Sequence, residues 1–130
     1  MSSRSIADLR PVFATRAIAW LDECRHAGLD VLITCTFRSM SEQNDLYAQG
    51  RTRPGKRVTN AKPGESAHNF RFALDFVPIV QGKPDWSSKS PQWLQLGRLA
   101  EACGLEWGGR WRGLVDLPHI QLPNWRTYVH

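Results

Sequence analysis

The segment ESAHNFRFALDF, residues 65–76, places a histidine and an aspartate seven residues apart among apolar and aromatic side chains. A carboxylate buried without a partner is unfavourable by several kcal/mol, so such a group is normally paired with a cation or bound to a metal. His68 and Asp75 are therefore candidate metal ligands. Their spacing alone is a weak signal, because an isolated pair of this kind is more often structural, and the chain has no HExxH helix.

The later segment GLVDLPHIQL supplies two more such groups, Asp116 and His119. Zinc takes imidazole and carboxylate ligands, and a catalytic zinc site keeps one position open for water. His68, Asp75 and His119 would give three ligands and leave Asp116 as a general base. Strict alternation would put Asp116 and His119 on opposite faces of a strand, but Pro118 can break the strand between them. Periodicity permits this arrangement without proving it.

Hydrophobic periodicity and capping signals predict the elements that must position these groups. Helices are expected at residues 5–27, 41–49 and 90–103, and strands at 30–37 and 70–80. A loop is expected from 50 to 65, a turn from 81 to 88, and short strands and loops after 105. This order indicates an α+β fold, with a small antiparallel sheet flanked by about three helices and the zinc site in a cleft on the sheet. The length favours a single domain, residues 1–130.

Alternation along the second strand separates Asp75 from the core. The side chains expected to point into the core are Phe70, Phe72, Leu74 and Phe76. Arg71, Ala73 and Asp75 are expected to point the other way, toward a cleft, where the small Ala73 leaves room. His68 lies just before the strand, where a loop can bring it close to Asp75.

Composition is that of a globular protein, with 42% hydrophobic and 22% charged residues. The net charge of +5 favours anionic partners such as nucleic acid or a cell-wall polymer. The densest basic segment, RTRPGKR at 51–57, lacks interleaved aromatic residues, and no recognition helix is evident, so a nucleic-acid partner is not expected.

The three cysteines are odd in number and form no CxxC pair, which argues against a disulfide framework or a cysteine zinc site. Reduced thiols indicate folding in a reducing compartment. Charged residues interrupt the N-terminal apolar run, so no signal peptide is predicted. No stretch approaches the ~20 apolar residues of a membrane span. His26 and His130 have no motif around them and are expected at the surface.

Three motifs in chain order carry a family resemblance. The pattern S-x-H-x-x-G-x-A-x-D matches the segment from Ser66 to Asp75, and D-x-x-H matches Asp116 and His119, after EWGGRW. The pattern T-x-R-S-x-x-x-Q-x-x-L-Y-x-x-G matches TFRSMSEQNDLYAQG, residues 36–50. The chain thus resembles the LAS-type zinc peptidases of peptidoglycan, the VanY or M15 group, and most closely the L-alanyl-D-glutamate endopeptidases among phage endolysins. The resemblance spans about residues 8 to 122.

The resemblance implies a role for each matching residue. His68, Asp75 and His119 would bind one Zn²⁺ per chain, and Asp116 would carry a proton from the attacking water to the leaving amine. The residues implied in substrate binding are Arg38, Gln43, Ser66 and Trp107. Of these, Arg38 would hold a substrate carboxylate or polarise the scissile carbonyl, and Trp107 would line the cleft.

The same resemblance implies the biological setting. The substrate would be the peptide stem of peptidoglycan, cleaved at the L-Ala–D-Glu bond. The protein would be made in the cytoplasm without a signal peptide and would act in the periplasm or cell wall after release through a holin. No membrane insertion is expected, and we expect a monomer.

One residue departs from the family pattern, because the glycine of S-x-H-x-x-G is Arg71 here. On the predicted alternation Arg71 shares the face of Asp75, where it would narrow the cleft or clamp a substrate carboxylate. Replacing Arg71 by glycine is then expected to change substrate affinity.

Several alternatives stay open. A D-Ala-D-Ala carboxypeptidase or dipeptidase of the same superfamily would use the same zinc site, and an inactive zinc domain could hold a wall peptide without cleaving it. A nucleic-acid binder would show a salt-dependent affinity. Residue by residue, Asp75 could simply pair with an arginine, and Asp116 could cap the turn before Pro118.

Overall fold

A five-stranded antiparallel sheet organises the chain, of which the structure, a computed structural model, describes residues 2–129. The strands are β1 (Asp30–Cys35), β2 (Ala73–Val80), β3 (Lys83–Pro84), β4 (Glu106–Trp107) and β5 (His119–Gln121). Their order is β1-β2-β5-β4, and β3 pairs with the far end of β2. The α-helices are α1 (Pro11–His26), α2 (Met40–Ala48) and α3 (Gln92–Ala102). The predicted α+β class, with a small antiparallel sheet and three helices, is confirmed.

Helix α1 begins at Pro11, six residues later than predicted. Arg10 has extended backbone angles because the residue before a proline is pushed out of the helical region, whereas proline itself suits the first helical position. Ser5, the predicted cap, instead caps a short 3-10 helix, Ile6–Asp8, by accepting the backbone N–H of Ala7.

The core lies between one face of the sheet and helices α1 and α3. Trp20 of α1 packs edge-on against Phe76 of β2, with ring centroids 5.1 Å apart, and its indole donates to the carbonyl of Leu96 in α3 at 3.0 Å. Burying a side chain of this size stabilises a fold by roughly 1.5–3 kcal/mol. Leu74 and Phe76 point into this core, as predicted, and leave the opposite face of β2 for Asp75.

Helix boundaries elsewhere depend on local capping. Ser39, and not the predicted Ser41, caps α2 by accepting the backbone N–H of Glu42. Pro91 rather than the predicted Ser90 takes the N-cap position of α3. The predicted turn after β2 is a tight hairpin into β3, because Gln81 and Gly82 both have positive φ, as a two-residue type I′ loop requires.

Strand β2 begins at Ala73, three residues later than predicted. The preceding residues Ala67–Phe70 form a 3-10 helix, and Arg71 follows it in the left-handed region at φ +71°. The prediction that Arg71 shares a strand face with Ala73 and Asp75 is therefore wrong. Glycine adopts the left-handed backbone region at a lower energetic cost than any other residue. This conformation is a physical reason for a glycine at this position of the motif.

Among residues 2–129, none of the helices combines the length and apolar character that crossing a bilayer requires. Cys24 and Cys35 are buried thiols and Cys103 is half-buried. His26 is exposed, whereas His130 lies outside the described residues.

Candidate metal centre and active site

Strand register brings the candidate ligands together. Asp75 on β2 pairs directly with His119 on β5, and on its other side with Cys35 on β1. His68 lies in the 3-10 helix that precedes β2. The hydroxyl of Ser66 caps this helix by accepting the backbone N–H of His68. Two strands and one capped turn therefore fix the positions of the three predicted ligands.

The nitrogen and oxygen atoms of these three side chains converge. Oδ1 of Asp75 lies 3.0 Å from Nε2 of His68 and 3.3 Å from Nδ1 of His119. Two ligands that each lie 2.0–2.2 Å from a tetrahedral zinc are about 3.3–3.6 Å apart. The two contacts of Asp75 lie at or just below this separation, so Asp75 can share one such ion with either histidine.

In each histidine, the ring nitrogen that faces away from Asp75 contacts a hydrogen-bond acceptor. Nδ1 of His68 donates to the carbonyl of Thr36 at 2.8 Å, and Nε2 of His119 donates to Oε1 of Gln121 at 2.8 Å. Such outer partners fix the ring orientation and leave the inner nitrogen for a metal. The residues present thus fit a zinc ion in donor type, in the distances of both histidines to Asp75 and in their supporting hydrogen bonds.

Cys35 belongs to the one set of candidate ligands among residues 2–129, with His68 and Asp75, whose ligand atoms all lie within 4.8 Å of one another. Its Sγ, however, is 3.8 Å from Nδ1 of His68, the nitrogen already bonded to Thr36. A set that includes His119 uses the inner nitrogen of both rings without breaking that bond. We therefore favour His68, Asp75 and His119.

Without a metal, the centre is an ion pair. Burial by itself would lower the pKa of His68, but the adjacent Asp75 carboxylate outweighs it and raises the pKa to about 10. Burial would raise the pKa of Asp75, but His68 and a hydrogen bond from His119 hold it well below its usual range. A metal that binds here must displace the proton of His68.

Asp116 lies beside this centre, with Oδ2 3.9 Å from Nδ1 of His119. Because β5 begins only at His119, Asp116 belongs to the preceding loop and is not bound by strand alternation. It can therefore face the same side of the sheet as His119, as we predicted from the break at Pro118. Burial raises the pKa of Asp116, and the Asp75 carboxylate adds to this while His119 opposes it. A raised pKa suits a carboxylate that must accept a proton.

The WGG motif holds the Asp116 loop close to the sheet. The backbone N–H of Asp116 donates to the carbonyl of Gly108 at 3.0 Å. A Cβ at Gly108 would lie 2.4 Å from the Asp116 carbonyl oxygen, so this close approach requires glycine.

Trp107 does not line the cleft, contrary to the prediction. Its ring is buried between Gly97 and Gly109, where an added Cβ would come within 2.2 Å, and its indole donates to the carbonyl of Leu117. Trp111, four residues later, lines the cleft and lies over the His119 ring at a centroid distance of 5.0 Å. The 3-10 turn Gly108–Arg110 separates the two, and periodicity gives no sign of it.

Arg38 reaches the centre from the segment between β1 and α2. Its Nη2 lies 3.3 Å from Oδ2 of Asp75, and its Nη1 donates to Oε1 of Gln43 at 3.0 Å. Gln43 is fully buried behind Arg38 and donates to the carbonyl of Ala61 at 2.8 Å, so it lies outside the cleft lining. The predicted arginine partner of Asp75 thus exists, and it occupies the oxygen that faces away from the histidines.

The cleft above these groups has a volume of about 250 Å³. Of the predicted site residues, the lining contains Arg38, Ser66, His68, Asp75, Asp116 and His119. The loop predicted at 50–65 supplies another wall through Val58, Thr59 and Ala61.

Arg71 is not part of the cleft lining. Its guanidinium donates to the carbonyl of Asp8 at 3.1 Å and lies 4.2 Å from the centre of the Phe37 ring.

Comparison with known proteins gives consistent results. A peptidase M15 family model described as D-alanyl-D-alanine carboxypeptidase matches residues 59–122. The peptidoglycan L-alanyl-D-glutamate endopeptidase CwlK of Bacillus subtilis is 39% identical over 127 residues, which cover 91% of this chain and 76% of CwlK. An L-alanyl-D-glutamate peptidase of Listeria phage A118 is 34% identical over 131 residues, 97% of this chain and 43% of the phage protein, so the chain spans under half of that relative.

Two solved structures share the fold. The Serratia marcescens L-Ala D-Glu endopeptidase ChiX superposes with a TM-score of 0.75 at 23% identity, over 98% of this chain and 92% of its own. The LD-carboxypeptidase LdcB superposes with a TM-score of 0.70 at 17% identity, over 88% of this chain and 58% of its own.

Proposed function

Because the chain belongs to peptidase family M15, we propose that it is a zinc-dependent peptidoglycan hydrolase that cleaves the L-Ala–D-Glu bond of the stem peptide. The observation that carries the proposal is the convergence of Nε2 of His68 and Nδ1 of His119 on Oδ1 of Asp75, at 3.0 and 3.3 Å, with Asp116 beside them in an open cleft. The choice of bond rests on CwlK and the phage peptidase, whose names specify it.

His68, Asp75 and His119 would hold the zinc ion, which when bound supplies Lewis acidity for attack of water on the scissile carbonyl. Asp116 would accept the proton of the attacking water through Oδ2, on the His119 side of the centre. It would then pass the proton to the departing amine, for which its raised pKa is suitable.

Arg38 would act on the substrate. Its guanidinium lines the cleft and is held by Asp75 on one side and by Gln43 on the other. A fixed cation at this position can donate to the oxyanion that develops at the scissile carbonyl or to a substrate carboxylate. Gln43 would act through Arg38, and Ser66 through the turn that presents His68.

A second candidate function is a D-Ala-D-Ala carboxypeptidase activity, which is favoured by the description of the family model that matches residues 59–122. It would use the same ligands and base. The two activities differ only in which bond of the stem peptide crosses the centre, so the products separate them.

The cellular setting is proposed with the function. The substrate is the peptidoglycan peptide, which the protein meets in the periplasm or wall after release, with a holin as the proposed route. Zinc is proposed at one ion per chain, and the protein is proposed to act as a monomer.

The decisive experiment is a digest of purified Gram-negative peptidoglycan with the zinc-loaded protein, read by mass spectrometry, with Asp116→Ala in parallel. New N-termini at D-Glu that are absent with the variant are the expected result. Released D-Ala instead would establish the carboxypeptidase. Failure of the wild type to yield any product, or full activity after exhaustive chelation, would contradict a zinc peptidase.

A further inference from the structure

One carboxylate, that of Glu106, contacts two residues of the cleft wall, Gln121 and Trp111, without lining the cleft itself. Glu106 on β4 pairs directly with Gln121 on β5, and Oε2 of Glu106 accepts a hydrogen bond from Nε2 of Gln121 at 3.1 Å. The same oxygen accepts the indole N–H of Trp111 at 2.9 Å. Gln121 in turn accepts Nε2–H of His119 through its Oε1 at 2.8 Å. The chain of contacts therefore runs from Glu106 through Gln121 to a proposed metal ligand.

The donor and acceptor groups of Glu106, Gln121 and His119 fix the direction of each hydrogen bond in this series. A carboxylate only accepts hydrogen bonds, whereas a glutamine amide has an accepting oxygen and a donating NH₂ group. Glu106 therefore requires the NH₂ group of Gln121 to face it, and this turns Oε1 toward His119. An acceptor at that place favours hydrogen on Nε2 of His119, so that Nδ1, which faces Asp75, can give its lone pair to a metal.

We propose that Glu106 is a positioning residue that fixes the metal-binding tautomer of His119 by orienting the Gln121 amide. Without Glu106, the amide can rotate and present its NH₂ group to Nε2, which would place the hydrogen on Nδ1, the nitrogen needed for the metal. The inference rests on the proposed zinc function, but it concerns metal binding and ring tautomer and does not depend on which peptide bond is cleaved.

The test compares three proteins by competition with a zinc chelator. Glu106→Met keeps the length of the side chain and removes the acceptor, and we expect zinc to bind about tenfold more weakly or worse, the range for loss of an outer partner. Adding Gln121→Glu to that variant is expected to restore most of the affinity, because a carboxylate at 121 accepts Nε2–H of His119 and has no NH₂ group to present.

The ¹⁵N shifts of the His119 ring, recorded on zinc-free protein at alkaline pH, give a readout that needs no metal. An acceptor faces each ring nitrogen, Asp75 at Nδ1 and Gln121 at Nε2, so the measurement is the fraction of protein with hydrogen on Nε2. This fraction is expected to fall in Glu106→Met relative to the wild type and to recover in the double variant. Glu101→Met is the matched control, since Glu101 is a surface carboxylate that pairs with Arg110 and does not line the cleft. It is expected to match the wild type in both measurements.

Two results would overturn the proposal: wild-type zinc affinity in Glu106→Met, or a double variant as weak as the single one, which would mean that Glu106 acts only on the fold. If Glu106→Met does not fold, Gln121→Met removes the acceptor from His119 directly, and unchanged zinc affinity there would contradict the proposal equally. A wild-type protein that binds no zinc would instead refute the proposed function, and the tautomer measurement would still decide the role of Glu106.

Discussion

Nε2 of His68 lies 3.0 Å from Oδ1 of Asp75, in a site where the histidine is almost completely buried. Burial disfavours the charged ring, but the carboxylate dominates and raises the pKa of His68 to about 10. The metal-free protein therefore carries a protonated His68 at neutral pH, and the proton occupies the position that a zinc ion would take. Proton and metal compete for one nitrogen, and several measurable consequences follow from this competition.

Zinc binding at neutral pH is expected to release close to one proton from His68. Isothermal titration in buffers of different ionisation enthalpy measures this release, because the observed heat then changes with the buffer in proportion to the protons released. Above the raised pKa of His68 the release should disappear. A heat of binding that is the same in all buffers at neutral pH would show that His68 is already neutral.

The thermal stabilisation that zinc provides is expected to grow as the pH rises. In the metal-free protein the raised pKa of His68 contributes stability that is fully present below its ordinary value of 6.5 and is lost as the pH rises through about 10. The lowered pKa of Asp75 contributes stability that is present above 3.8 and is lost in acid. Zinc instead requires neutral imidazoles, so the gain in Tm on adding zinc should be larger at pH ~9 than at pH ~6. Thermal unfolding at both pH values, with and without zinc, checks this, and a gain that shrinks with pH would contradict it.

Asp116→Asn is expected to retain zinc and to lose activity. The amide cannot accept a proton from water, and loss of a general base lowers kcat by roughly 10² to 10⁴-fold. Zinc affinity should stay close to that of the wild type, because Asp116 is not among the three converging groups. Peptide hydrolysis and chelator competition on the same preparation test both parts. Asp22→Asn, which alters an exposed pair with Arg25, is the control and should not affect either quantity. Loss of zinc together with activity would make Asp116 a ligand.

The sequence predicted the α+β class from helical and alternating patterns, and the structure confirms it. Ligand chemistry and the family resemblance predicted His68, Asp75, Asp116 and His119 as site residues, and the structure brings them to one cleft, while their roles stay predictions. The sequence did not predict the hydrogen-bond acceptors behind the two histidines. For His68 the acceptor is the backbone carbonyl of Thr36, and no residue type marks such a role. The contact between Gln121 and Glu106 depends on the pairing of β4 with β5, which have two and three residues and are too short to give a periodic signal.

Left-handed and 3-10 backbone explains the other differences. The alternation FRFALDF reads as one strand, but Phe70 is the last residue of the 3-10 helix Ala67–Phe70, and Arg71 caps that helix in the left-handed region. Trp111, and not the predicted Trp107, lines the cleft for a similar reason, since the 3-10 turn Gly108–Arg110 lies between the two residues. Both turns depend on tertiary contacts, such as Gly108 against the Asp116 carbonyl, which no local pattern encodes.

Gln43→Leu is expected to lower both stability and catalysis. Gln43 is fully buried, accepts from Arg38 and donates to the Ala61 carbonyl, so leucine would leave both groups unpaired. An unsatisfied buried group costs about 1–3 kcal/mol, and a loosened Arg38 should lower kcat/KM while zinc affinity changes little. Urea unfolding, kinetics and chelator competition measure the three quantities. Gln95→Leu, on the exposed side of α3, is the control. Unchanged kinetics in a destabilised Gln43→Leu would show that Arg38 needs no support.

Arg71→Gly is expected to leave peptide hydrolysis unchanged, because the guanidinium lies against Asp8 and Phe37 and not in the cleft. The stability effects oppose each other. Glycine removes the cost of a left-handed arginine, about 1–2 kcal/mol, but loses the stacking on Phe37, about 0.5–1 kcal/mol, and the hydrogen bond to Asp8. We therefore expect the free energy of unfolding to change by no more than about 1 kcal/mol. Urea unfolding and kcat/KM on the stem peptide measure both, with Arg38→Ala as the variant that should lose activity. A raised KM in Arg71→Gly with normal stability would return Arg71 to the substrate site, as the simple alternation of the strand predicted.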